Sequence, residues 1–185
     1  MANATRISKF MSLVLRHKPQ TIGIELDEAG WVDIDTLVTA MNQHPGGRGV
    51  TRDKLLQVVA DNDKQRFCLS DDGQRIRARQ GHSVEVALGL QPATPPEHLL
   101  HGTPQQNVAP IRESGLRKMN RNHVHLHAER ETAQAVGARR GKPVLLSVRS
   151  GEMHRDGHEF FVTGNNVWLT DHVPSEYIDF PTKSK

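Results

Sequence analysis

With 185 residues, 36% hydrophobic and 24% charged, the chain is somewhat polar but far from the composition of disordered proteins, and it can bury one medium or two small cores. The net charge of +3 is spread as 12 basic to 10 acidic side chains over residues 1–80 and 12 to 11 over residues 81–185; this excludes a basic tail, so an anionic partner must be met by a few convergent side chains. No apolar run approaches the ~18 residues of a membrane span, the first ten residues lack the apolar stretch of a secretory signal, and Cys68 has no second cysteine for a disulfide, so a soluble, cytoplasmic protein held by packing is expected.

Ile7, Phe10, Met11, Val14 and Leu15 make the stripe of an amphipathic helix that Pro19 ends near Arg16–Lys18. Ile22, Ile24 and Leu26 alternate as a short strand before the turn Asp27–Gly30. Asp33 reads as the N-cap of a second helix with Leu37, Val38 and Met41 inward, stopped by the loop from Pro45 to Gly49. Thr51 caps a third, with Leu55, Val58 and Val59 inward, and a hairpin follows: Phe67 and Leu69 out, a turn over Ser70–Gly73, Ile76 and Ala78 back. Three helices and a hairpin are the order of a winged helix.

Pro92, Pro95 and Pro96 make residues 91–97 the only Pro-rich stretch and predict a linker between lobes at residues 1–90 and 98–185. Beyond it, β-like runs at Leu99–Thr103, His123–His127, Val144–Val148, Glu159–Val162 and Val167–Thr170 are separated by helical segments at Gln106–Ser114 and Glu129–Val136. The fold class predicted is α+β.

Arg16 and His17, in LRHKP, sit where a helix runs out, Arg with a fork of donors suited to phosphate and His able to move a proton near neutral pH. Charge pairing with the helix dipole explains such a pair equally well. Arg66 precedes the core-facing Phe67 and points the other way, as either a cleft residue or a solvated strand charge. In HVHLH, alternation puts His123, His125 and His127 on one face with Arg121, and Val124 and Leu126 on the other. Imidazoles at this spacing can chelate a metal, but no third ligand accompanies them, so no metal is expected; a cleft wall for a phosphate-rich ligand and a solvent-facing strand are the other readings. In HGT, Gly102 between His101 and Thr103 could let backbone approach a ligand, and GNNVWLT reads as a tight turn feeding a strand. There is no P-loop or Rossmann glycine fingerprint.

Taken together, SKFMSLVLRHKP, DKQRF, RIRARQGHS, LLHGT, NRNHVHLH, GARRGKPVLL and GNNVWLTDHVP occur in the order and spacing of the RNA 2′-phosphotransferase family, which this chain resembles over nearly its whole length. The resemblance implies a winged-helix RNA lobe over residues 1–90 and an ADP-ribosyltransferase-like NAD lobe over residues 98–185. It implies catalytic roles for Arg16, His17, Arg66 and Arg121, and NAD contacts at His101, Gly102, Thr103, His125 and Val167. Val167 stands where many protein-modifying relatives carry a glutamate, and His127 where a small, serine-like residue is expected.

The implied chemistry has two steps: an RNA 2′-phosphate attacks the nicotinamide ribose of NAD, and the ribose 2″-hydroxyl then attacks phosphorus. The products are 2′-OH RNA, nicotinamide and ADP-ribose 1″,2″-cyclic phosphate. The partners implied are NAD, consumed as a co-substrate, and a tRNA-like 2′-phosphorylated RNA, with no membrane and no obligate protein partner. The competing readings are an ADP-ribosyltransferase that caps terminal phosphates of RNA or DNA, a non-enzymatic winged-helix nucleic-acid-binding protein, and a histidine-metal hydrolase.

Overall fold

Five apolar side chains spaced along one helical face give α1 (Ala4–Arg16) its buried side: Ile7, Phe10, Met11, Val14 and Leu15 are all buried. The computed structural model describes residues 4–181 and is a mixed α+β structure that separates into two compact units, Met1–Gly89 and Leu90–Lys185.

In the first unit Pro19 opens a 3-10 turn, Pro19–Ile22, closed by Gly23 at φ 67°. This turn replaces the strand expected over Ile22–Leu26, because the proline fixes a bent start and the glycine a left-handed exit. Val32–Asp33 forms β1, and the Asp33 carboxylate accepts a hydrogen bond from the Thr36 N–H at 2.7 Å to cap α2 (Ile34–Gln43). That bond also holds the Asp33 carboxyl below the usual range. Gly47 is fixed by packing, since a Cβ there would meet the Met41 carbonyl oxygen at 2.4 Å. Thr51 caps α3 (Arg52–Ala60) by accepting from the Lys54 N–H at 3.3 Å. The hairpin β2 (Phe67–Leu69) and β3 (Arg75–Ala78) completes an antiparallel sheet in the order β1-β3-β2. Phe67, Ile76 and Ala78 join the apolar face of the three helices in one core.

The second unit is built on a six-stranded antiparallel sheet, and its elements run β4 (Leu99–Pro104), α4 (Val108–Ser114), β5 (Leu116–Arg117), β6 (Val124–His127), α5 (Arg130–Gly137), β7 (Pro143–Val148), α6 (Ser150–Arg155), β8 (Phe161–Val162), β9 (Val167–Thr170), β10 (His172–Val173) and β11 (Ile178–Asp179). The sheet order is β11-β7-β4-β6-β9-β8, with β10 and β5 paired separately. Helix α5 packs against β4, β6 and β7. Its approach is so close that a Cβ on Gly102 would lie 1.7 Å from the Ala133 carbonyl oxygen. Leu99, Leu126, Leu146, Val148, Met153 and Phe160 are among the buried side chains of this core.

The Pro-rich stretch is fastened to this second unit. Ala93 donates its N–H to the Phe160 carbonyl at 2.8 Å, Ser150 Oγ donates to the Pro96 carbonyl at 2.7 Å, and Arg155 pairs with Glu97 at 2.8 Å. Asn166, at φ 56°, takes the tight turn before β9, as the GNN sequence leads one to expect.

Candidate active site

In the first unit the end of α1 is tied to two other segments. The Arg16 carbonyl accepts the N–H groups of Ser83 and Val84 at 2.8 and 3.3 Å, and Arg16 Nη2 donates to the Arg66 carbonyl at 3.4 Å. His17 Nδ1 lies 2.9 Å from Ser83 Oγ. A hydroxyl can accept from a protonated ring nitrogen or donate to a bare one, so Ser83 partners Nδ1 in either charge state. Arg16, His17 and Arg66, expected to act together, are thus brought together in this unit.

In the sequence His82 stands out only as part of the RIRARQGHS motif. It is 1% exposed, and neither ring nitrogen has a hydrogen-bond partner among the described residues. Burial, followed by the charges of Arg16, His17 and Arg77, pushes its pKa down to about 4. A neutral ring therefore fills the space behind a cationic cluster without adding charge to it. The sequence signal was a histidine between a turn glycine and a serine, and nothing in its spacing announced a buried ring.

In the second unit His101, His125 and Val167 lie on β4, β6 and β9, three neighbouring strands of the sheet. His101 Nδ1 is 3.0 Å from the His125 carbonyl oxygen. A carbonyl only accepts, so Nδ1 carries the proton. Burial lowers the His101 pKa, against that hydrogen bond and with the Arg121 charge. The neutral ring consequently presents Nε2 as an acceptor, the form suited to a ligand hydroxyl.

Arg121 precedes β6 rather than lying in it, in a turn closed by its N–H donating to the Lys118 carbonyl at 3.0 Å. Its Nη1 is 3.5 Å from His125 Nδ1, so the two residues expected to serve catalysis and NAD are adjacent. Gly102 and Thr103 are buried. The reason for a glycine at 102 is the helix backbone above it, whereas the sequence alone pointed to a close ligand. Thr103 Oγ1 accepts from Asn107 Nδ2 at 3.4 Å.

His127 differs from the open face that alternation suggests. It is buried, pairs in register with Val167, and has its pKa pushed down to about 4 by burial first and by His101 and Arg139 next. Among the described residues, no group of three histidine, cysteine or carboxylate side chains could hold a metal ion, and no helix is long and apolar enough to cross a membrane.

The family model described as RNA 2′-phosphotransferase, Tpt1 / KptA family, matches residues 2–172. A protein of Streptomyces coelicolor named "Probable RNA 2′-phosphotransferase" is 55% identical over 176 residues, covering 95% of this chain and 94% of that protein. Proteins with the same name from Rhodopirellula baltica and Burkholderia pseudomallei are 54% and 52% identical, covering 95% and 96% of this chain and the same shares of their own lengths.

Proposed function

This chain belongs to the RNA 2′-phosphotransferase, Tpt1 / KptA family, and on that premise we propose that it moves an internal RNA 2′-phosphate to NAD, which is consumed as a co-substrate. The first unit serves as a winged-helix RNA lobe and the second as an ADP-ribosyltransferase-like NAD lobe. Three helices followed by an antiparallel hairpin support the first assignment. Support for the second comes from an antiparallel sheet that sets His101, His125 and Val167 on adjacent strands.

The observation that carries the reading is the tying of Arg16 to the Arg66 backbone and of His17 to Ser83. These bonds preorganise the Arg16 guanidinium and the His17 imidazole beside the Arg66 backbone, and guanidinium and imidazole are side-chain types that hold a phosphate dianion. Preorganised donors act without reorganising as charge develops, which is how phosphoryl-transfer sites work.

Bound NAD supplies an anomeric carbon whose leaving group, nicotinamide, departs as a neutral molecule. A phosphate monoester already carries close to two negative charges near neutral pH, so no side chain need remove a proton to make it a nucleophile. This makes Val167 tolerable where other transferases place a glutamate. Positioning then carries the first step, with Arg16, His17 and Arg66 holding the phosphate. His101 accepts a ribose hydroxyl at Nε2, His125 and Val167 line the same strands, and Gly102 and Thr103 seat β4 under α5 behind His101. In the second step Arg16, Arg66 and Arg121 together stabilise charge on the phosphorus oxygens, and His17 contacts the phosphate or protonates the departing RNA oxygen.

Incubation with NAD and a short RNA bearing an internal 2′-phosphate tests the reading. Equal yields of 2′-OH RNA, nicotinamide and ADP-ribose 1″,2″-cyclic phosphate are expected. No nicotinamide release with that RNA would overturn it.

A further inference from the structure

The alternating run Arg75-Ile76-Arg77-Ala78-Arg79 has no part in the chemistry above. Ile76 and Ala78 enter the core, which turns Arg75, Arg77 and Arg79 to the other face of the hairpin at a spacing of roughly 7 Å per alternate residue. On the neighbouring strand Cys68 stands opposite Arg77, and Arg66 takes the Arg79 N–H on its carbonyl at 2.9 Å. Arg66 is therefore the first rung of a row that continues through Arg79 and Arg77 to Arg75.

Trp31 lies beneath the far end of the row. The guanidinium carbons of Arg77 and Arg75 are 4.6 and 5.5 Å from its ring centroid. Arg77 Nη1 donates to the carbonyls of Ala29 and Leu88 at 3.1 and 3.5 Å, and Arg75 pairs with Asp27 at 3.4 Å. These ties aim the guanidiniums over the indole. The ring, Arg75 and Arg77 line an open cleft of about 470 Å³ whose remaining walls include Cys68, Ser70, Asp71 and Asp72.

A row of solvated strand charges does not account for this arrangement. Arg77 is instead held in one place, over the Trp31 ring and by the Ala29 and Leu88 carbonyls, whereas a solvated strand charge is left free to move.

We propose that the outer face of this hairpin is a track for single-stranded RNA, in which nucleotides flanking the modified one run from Arg66 along Arg79 and Arg77 to Arg75, and a base occupies the Trp31 cleft. The guanidiniums meet successive phosphates, and the indole offers a sequence-tolerant stacking platform. The proposal rests on the 2′-phosphotransferase reading only for its starting point at Arg66.

Two measurements test it. Trp31→Ala and Arg75→Ala are assayed on a 2′-phosphorylated RNA with one nucleotide on each side of the modified one, and on the same RNA extended by several nucleotides on both sides. Both variants are expected to raise KM about ten-fold for the extended RNA alone, with kcat unchanged. Arg75→Ala should also lower the salt slope of log KM by about 1. Equal effects on the two substrates, or no effect on either, would overturn the track.

The second measurement uses Trp168→Phe, which leaves Trp31 as the only indole of the two in the chain. Unphosphorylated single-stranded RNA should quench its fluorescence saturably, and salt should weaken the quench; unchanged fluorescence counts against the track. Quenching without turnover of either substrate would sink the catalytic reading and leave the track standing.

Discussion

Arg121→Ala and Arg66→Ala are each expected to slow the second chemical step more than the first. Losing one preorganised donor costs about 3 kcal/mol, a little over 100-fold in rate. RNA carrying ADP-ribose should therefore accumulate and be visible as a retarded band on a gel; a variant turning over at the parental rate removes that arginine from the mechanism. Ser83 bears on His17 differently, because its hydroxyl meets the ring at Nδ1. Ser83→Ala is expected to lower turnover about five- to ten-fold, the worth of one hydrogen bond, and Ser83→Thr to restore it. Nitrogen NMR of the His17 ring should show its tautomer balance altered in the alanine variant alone. An unaltered ring spectrum would leave Ser83 with a purely structural duty.

At the scale of elements, the sequence was most legible where one face alone is buried. Helix α1 was read from five apolar positions, and the caps Asp33 and Thr51 from their place before apolar stripes; all of these hold. Helix α6 carried no such signal. It spans six residues and buries Ser150, Gly151 and Met153, so only one large apolar side chain marks its inner face and no periodic stripe forms. The burial of His127 escapes local pattern for a related reason: strand alternation reports which side a residue faces, but not whether that side is covered. The His101, His125 and Val167 grouping needed the strand order β4-β6-β9, which long-range pairing decides and local pattern does not. Gly102 offers a direct test of the contact between α5 and β4. In Gly102→Ala the new Cβ would overlap the Ala133 carbonyl, and α5 must lift from β4 at a cost of about 3 kcal/mol. A melting temperature within a degree of the parent would show that α5 gives way without cost.

For the whole molecule, the two deeply buried histidines set the acid limit. His82 and His127 have ordinary values of 6.5 that burial lowers to about 4 in the native state. Between those values the unfolded chain binds two protons that the folded chain refuses, so stability rises with pH across this window. It is complete above about pH 6.5 and is lost as pH falls toward 4, with each ring contributing on the order of 3 kcal/mol at full effect. Melting temperature measured from pH 7 to pH 4 should fall accordingly. His127→Gln should flatten its share of that slope, and an unchanged slope would mean that the ring already charges in the native state.

The bonds that fasten residues 93–97 have a practical consequence for anyone wishing to express the C-terminal half alone. A fragment beginning at residue 98 discards Glu97 and leaves Arg155 without its carboxylate, Ser150 without the Pro96 carbonyl and Phe160 without the Ala93 N–H. The cut should therefore fall before the prolines, at Leu90, so that the strap travels with the half it binds. A fragment of residues 90–185 is expected to melt cooperatively and well above one of residues 98–185.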